Sequence, residues 1–338
     1  MLFYILMVML GFILLAVGAD LLVRGASNIA KKFNIPEMII GLTIVALGTS
    51  APELMITINS AMNSSTDLII GNAIGSNLCN LLLILGLMAI LRPVVIDKDA
   101  KRIHIPLALA STLVILFIEL TEFTSNSLYM DRIDGIILVS LFLIYFTYPI
   151  MLEIKKIINS AKDTVIPEKQ LKKKGFTQLV ISTFQGNKPI SILLSAIFIT
   201  LGVILLKYGG DFVVDYSTNI AHYFNISERV IGLTIVAFGT AMPELVTSII
   251  ATFRKDTDLA VGNLVGSCVL NLLLILGVGA ILTPLKFSVN FTNNLILLCV
   301  STLILWMFNF IGKKNTITRF KGLILLIIFS IYIVNLFA

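Results

Sequence analysis

Residues 41–54 read Gly-Leu-Thr-Ile-Val-Ala-Leu-Gly-Thr-Ser-Ala-Pro-Glu-Leu, and residues 232–245 read Gly-Leu-Thr-Ile-Val-Ala-Phe-Gly-Thr-Ala-Met-Pro-Glu-Leu. Eleven of the 14 positions are identical at a constant offset of 191, which makes Glu53 and Glu244 partners. Each glutamate follows a proline inside an otherwise apolar segment. An ionisable residue within a hydrophobic span is costly, so its first reading is functional. Two of them at matching places argue for one site assembled by two halves.

The surrounding sequence sets the fold class. Hydrophobic residues make up 57% of the 338 positions and charged residues 13%, with a mean hydropathy of +1.00. A soluble domain carries about 25% charged residues, so this composition is that of an integral membrane protein. Stretches near the roughly 20 residues that a spanning helix needs recur at 2–23, 38–60, 67–91, 103–121, 134–153, 190–208, 229–251, 258–282, 292–311 and 321–338. They predict an all-α membrane protein with ten transmembrane helices. The first stretch has no Lys or Arg before its apolar run and is too long for a signal-peptide core, so it reads as a retained helix. Cys79, Cys268 and Cys299 lie in apolar stretches without CxxC spacing, which suggests packing rather than a disulfide framework or a zinc site.

The net charge of +6 does not point to nucleic acid once it is sorted by loop. With loops assigned alternately to the two sides, one side holds 21 of the 25 basic residues, and the other holds only Arg132, Lys207, Arg229 and Lys286. The positive-inside rule then places both termini outside. A Lys-rich connector over 154–189 separates a first half, 1–153, from a second, 190–338, and reads as an inner loop attracted to anionic lipid. An odd number of helices in each half makes the repeat an inverted one. A second block, Gly71 to Gly86, returns from Gly262 to Gly277 with 11 of 16 residues identical. Because the similarity concentrates there, the chemistry belongs on spans 2, 3, 7 and 8.

Those spans offer oxygen. Pro52 and Pro243 should free the carbonyls of Gly48 and Gly239, because proline lacks the N–H that would bond four residues back. In a membrane, freed backbone is tolerated only where protein or a polar cavity receives it. Thr49 and Glu53, Thr240 and Glu244, Ser76 and Asn80, and Ser267 and Asn271 each stand four apart, on one helix face. Carboxylate, hydroxyl, amide and carbonyl oxygens without imidazole or thiolate suit hard cations, and calcium takes about 6–8 of them. Two ionised glutamates brought together repel unless a cation or proton compensates them. One divalent ion, two sodium ions, or sodium and a proton would do so, and competition for the shared carboxylates is a basis for exchange. The repeated glycines Gly41, Gly48, Gly71, Gly75 and Gly86, with Gly232, Gly239, Gly262, Gly266 and Gly277, should let helices approach closely. Asn72 and Asn263 read as bridges between helices.

The duplicated Gly-Thr-Ser-Ala-Pro-Glu and Gly-Asn-Ala-Ile-Gly-Ser-Asn blocks resemble the alpha-repeats of the calcium/cation antiporter superfamily, most closely its sodium/calcium exchanger branch, over nearly the whole chain. The resemblance implies ten helices in two inverted five-helix repeats, four of them lining a central site. It implies that Glu53 and Glu244 hold calcium with Thr49 and Thr240. Ser50, Ser76, Ser267 and the carbonyls of Ala46 and Ala237 would serve flanking sodium sites, with Asn80 and Asn271 lining the centre. Two positions depart from the pattern. Ala241 stands where the first half has Ser50, so one sodium site lacks a hydroxyl. Asn271 stands where related exchangers commonly have Asp, which argues against potassium co-transport.

The expectation is therefore a secondary antiporter exchanging calcium for sodium in a plasma or bacterial inner membrane. Its partners are the two ions and the lipid bilayer, with no cofactor, no nucleic acid and no protein partner to infer. A proton-coupled calcium/cation exchanger is the alternative. A passive channel would present rings of charge about an axis rather than an inverted repeat. Enzyme chemistry finds no HExxH. His104, at an inner helix start, and His222, in an outer connector, read as structural; Asp20 and Asp211, near helix ends, read as solvated or paired, with gating the lesser alternative, and Trp306 suggests no role.

Overall fold

The computed structural model describes residues 2–33, 35–63, 65–124, 129–163, 189–224, 237–286, 289–312 and 315–337. The first half comprises α1 (Leu2–Phe33), α2 (Glu37–Thr49), α3 (Ala51–Met62), α4 (Thr66–Leu91), β1 (Val94–Val95), α5 (Ile105–Thr124), β2 (Tyr129–Met130) and α6 (Arg132–Asp163). The second comprises α7 (Pro189–Tyr223), α8 (Ala237–Thr240), α9 (Met242–Phe253), α10 (Thr257–Leu282), β3 (Leu285–Lys286), α11 (Val289–Phe308), β4 (Thr316–Ile317) and α12 (Arg319–Phe337). At the offset of 191, α3 maps onto α9, α4 onto α10 and β1 onto β3, residue for residue at both ends. Most of the expected connector lies outside the described residues, although α6 carries its first turns as helix to Asp163. His222 belongs to α7 rather than to a connector.

Seven of the described helices are long and apolar enough to cross a membrane, eight if α2 and α3, bent by 45°, form one span. Of the ten expected stretches, 229–251 falls partly outside the described residues and leaves α9 with 12 residues, while 321–338 is the 19-residue α12. The bend follows from the sequence. Pro52 sits in the first turn of α3, and the chain turns at Ser50, whose φ of −86° and ψ of 9° leave the helical region. Ala241 makes the matching turn before Pro243.

Helices α1 and α7 hold matching places in the two halves and pack antiparallel through a seam of small residues. A Cβ on Gly11 would meet the Gly209 carbonyl oxygen at 2.9 Å, one on Gly18 that of Gly202 at 2.9 Å, and one on Gly25 that of Ser195 at 2.7 Å. The seven-residue spacing on each helix keeps the seam facing its partner along several turns. Glycine is needed because the backbones themselves touch.

The second tight crossing lies at the centre, where Gly41 of α2 meets Gly262 of α10 so closely that a Cβ on either would strike the other helix's backbone. At the periphery, Gly86 of α4 abuts Gly322 of α12, and Gly277 of α10 abuts Gly135 of α6. The ribbons follow the same pattern, β1 pairing with β4 and β3 with β2, both antiparallel. Gly71 and Gly75 differ from expectation: among the described residues, Gly71 faces only the Phe291 ring at 3.8 Å and Gly75 faces open space. Gly232 lies outside the described residues.

Two polar residues fasten the periphery. Trp306 donates its indole N–H to the Lys101 carbonyl at 3.1 Å, so this residue, which had no role in the sequence reading, ties α11 to the turn before α5. Asp20 of α1 pairs with Arg24 at 2.7 Å and with Arg254 beyond α9.

Gly18→Val should lower the unfolding free energy of the purified protein by about 1–3 kcal/mol, the usual cost of overpacking. Val17→Ala, on a lipid-facing position, should leave the thermal midpoint nearly unchanged. Equal midpoints for the two variants would mean that the α1–α7 seam is not close-packed.

Candidate functional site

The two breaks, after Thr49 and after Thr240, bring the glutamates into the interior on the first turns of α3 and α9. Glu53 and Glu244 are each 1% exposed, and each lies within reach of the other's charge. Their surroundings are built crosswise. The turn of α4 at Cys79–Ile84, which carries Asn80, packs on α9, and the turn of α10 at Asn271–Ile275 packs on α3. Both turns are π-helical, an extra-residue geometry that is uncommon and concentrates at functional sites.

Hydrogen bonds place most of the expected residues. Ser50 donates to Glu244 Oε1 at 2.8 Å, and its hydroxyl lies 3.0 Å from that of Ser267. Thr49 donates to Asn263 Oδ1 at 3.0 Å and lies 3.4 Å from the Ala46 carbonyl, which also accepts the Ser50 N–H. Asn263 in turn donates to Ser248 at 3.3 Å, so it ties α2 to α9 across the two halves. Its counterpart Asn72 donates to the Glu53 carbonyl at 3.2 Å and ties α4 to α3. Ser76 and Thr240 are buried, and Ala237 is the first residue of α8.

The pattern of satisfied and unsatisfied atoms is lopsided. Ser50 serves the glutamate of the opposite half, whereas its counterpart Ala241 has no hydroxyl to offer Glu53. Both carboxylate oxygens of Glu53, Glu244 Oε2, and the Oδ1 atoms of Asn80 and Asn271 are buried without a donor. An unpaired acceptor in the interior normally costs about 1–3 kcal/mol. Five such oxygens on matching elements form a constellation of acceptors, the arrangement that a cation satisfies. Among the described residues no group of three or more His, Cys, Asp and Glu gathers, so any ion here depends on amides, hydroxyls and carbonyls beside the two carboxylates.

Sequence reasoning passed over three buried positions. Asn77 donates to the Cys268 carbonyl at 3.0 Å and accepts from Asn271 Nδ2 at 3.0 Å. Thr57 and Thr247, on the same helices as the glutamates, keep buried hydroxyls without partners. Asn77 was legible as the one asparagine of the Gly-Ser-Asn block whose counterpart is not asparagine. The threonines carry no comparable signal.

Comparison with known proteins bears on the family and the fold. The family model described as sodium/calcium exchanger protein matches residues 3–151 and 194–338. The chain is 32% identical over 308 residues to the inner membrane protein YrbG of Escherichia coli (strain K12), covering 89% of this chain and 88% of that one. It is 33% identical over 336 residues to the putative antiporter CaxA of Alkalimonas amylolytica, covering 98% of each. Among solved structures, the sodium-calcium exchanger NCX_Mj superposes with a TM-score of 0.79 at 30% identity, covering 98% of both chains. With a family model spanning nearly all of both halves, the chain belongs to the sodium/calcium exchanger protein family.

Proposed function

We propose that this chain is a secondary active antiporter that exchanges calcium for sodium at one central site built on Glu53 and Glu244. The observation that carries the reading is the pair of buried glutamates on matching helices, surrounded by oxygen acceptors that lack donors. The ten-helix, two-repeat architecture is part of the same reading. It is supported by the antiparallel α1–α7 seam, by the crosswise ribbons and by elements that recur at the offset of 191.

The mechanism follows from charge. Two carboxylates in a medium of low dielectric cannot both stay ionised without compensation. The calcium-loaded site is neutralised by one divalent ion and the sodium-loaded site by monovalent ions, so either can change its exposure. The empty, doubly charged site cannot, and this couples the two flows. Glu53 and Glu244 would hold calcium with Thr49 and Thr240. Ser50, Ser76, Ser267 and the carbonyls of Ala46 and Ala237 would serve sodium, and Asn80 and Asn271 would line the centre. Proton coupling is the second reading, favoured by one observation: Ala241 removes a hydroxyl from the Glu53 side. The distribution of basic residues between the loops supports an orientation with both termini outside the membrane.

In reconstituted vesicles, an imposed sodium gradient should drive calcium uptake, and Glu53→Gln or Glu244→Gln should reduce it to the level of protein-free vesicles. Uptake driven by a proton gradient alone would replace sodium with protons in the scheme. Ser50→Ala should raise the sodium concentration for half-maximal exchange about tenfold, since a hydrogen bond to a charged group contributes about 1.5–3 kcal/mol; an unchanged sodium dependence would remove Ser50 from the site. For topology, a cysteine placed at Phe3 should react with an impermeant maleimide on intact cells, and one at Lys172 only after lysis. The reverse pattern would invert the assignment.

A further inference from the structure

We propose that Asn77 is a positioning residue that decides which atom of the Asn271 amide faces the ions. This rests on the placement of Asn271 at the centre of the site given above. The two ends of an asparagine amide have nearly the same shape and opposite hydrogen-bonding character, one an acceptor and the other a double donor. An asparagine beside a cation therefore helps or hinders according to which end is turned inward. Its orientation is set by its neighbours.

Here the orientation is dictated outward from the backbone. The Cys268 carbonyl can only accept, so it fixes the NH2 of Asn77, which donates to it at 3.0 Å. That leaves Asn77 Oδ1 pointing the other way, an acceptor in a fully buried position. Only a donor satisfies it, and Asn271 supplies its NH2 at 3.0 Å. The remaining atom of Asn271, Oδ1, is buried without a donor and belongs to the set of oxygens around the glutamates. Reversing the Asn271 amide would set two oxygens against each other at one end and aim an NH2 at the cation at the other. Asn77 forbids both.

The matching position holds no second asparagine. Cys268 stands 191 residues from Asn77, and Asn80 Oδ1, the counterpart of Asn271 Oδ1, is likewise buried without a donor.

The test uses the full-length protein in vesicles and six variants: Asn77→Leu and Asn77→Ala, each alone and combined with Asn271→Asp, and Asn271→Asp and Asn271→Ala alone. A residue that only orients a metal ligand typically costs about 10–100-fold in affinity when removed. Asn77→Leu should therefore raise the calcium concentration for half-maximal exchange by about tenfold or more, with the maximal rate much less affected. A carboxylate presents oxygen whichever way it turns, so in the Asn271→Asp background the same Asn77→Leu change should have almost no effect on calcium dependence. Calcium protection against thermal unfolding, measured on the same proteins, reads binding apart from transport.

Equal losses in both backgrounds would mark Asn77 as a scaffold residue and overturn the proposal, as would no loss in either. Failure of Asn77→Leu and Asn77→Ala to fold in both backgrounds, while Asn271→Asp folds, would overturn it in the same way. If Asn271→Ala keeps wild-type calcium dependence, the placement of Asn271 at the site is wrong and the orienting role falls with it. If Asn271→Ala impairs exchange and Asn77→Leu does not, that placement stands and this inference alone fails.

Discussion

Two carboxylates enclosed within one small volume of a membrane protein set the terms for everything around them. The repulsion between two such charges grows as the dielectric falls, and at a separation of about 4 Å it is several times stronger inside a protein than in water. Among the described residues, no lysine or arginine pairs with either carboxylate. The neighbours are hydroxyls, amides and carbonyls, which shape the site without discharging it. Under the exchange proposed above, a mobile counter-charge completes the site, and that requirement couples binding to a change of exposure.

The two-fold relation between the halves makes such a site easy to build and hard to keep symmetric. Near a two-fold axis each residue faces its own counterpart or that counterpart's neighbours, so identical side chains confront identical side chains. Two asparagines at positions 77 and 268 would each have to find a separate carbonyl and a separate amide in the same narrow space. Asn77 against Cys268 needs only one such arrangement. Ser50 against Ala241 is the same kind of choice: a single hydroxyl serves Glu244 and Ser267, and both Glu53 oxygens are left without a donor. The repeat fixes where helices bend and cross, and its few broken positions distribute the donors.

Much of this was legible in the sequence because it depends on local covalent chemistry. Proline at 52 and 243 removes a backbone donor and so favours a break, and Gly41 and Gly262, each in a repeated block, announced a close approach of helices that the structure places between α2 and α10. Membrane character followed from composition. What could not be read depends on partners distant in sequence. The seam of Gly11, Gly18 and Gly25 has the seven-residue spacing in plain view, yet its meaning needs Ser195, Gly202 and Gly209 on the antiparallel partner. Trp306 gains its role only from the Lys101 carbonyl, 205 positions away. The hydrogen-bonding of Asn77 was invisible for the same reason, since spacing reports which face a residue occupies and not which atom of an amide is turned inward.

The difference between the buried and the lipid-facing helices follows from the same constraint. The most apolar windows of α4 and α10 are 72% and 83% buried, whereas those of α1 and α7 are 22% buried. Lipid tails are as apolar as leucine, so burial against protein brings a membrane helix no hydrophobic gain, and association has to come from packing and hydrogen bonds. α4 and α10 carry the asparagines and serines whose polar groups lipid cannot satisfy, and they are therefore enclosed. α1 and α7 pair the charges of their middle turns with neighbours on the same helix, Asp20 with Arg24 and Lys207 with Asp211, and are held to each other by backbone contact at glycine. Exposure to lipid thus follows the polar content of each helix: the helices that build the charged site are the ones the rest of the chain must surround.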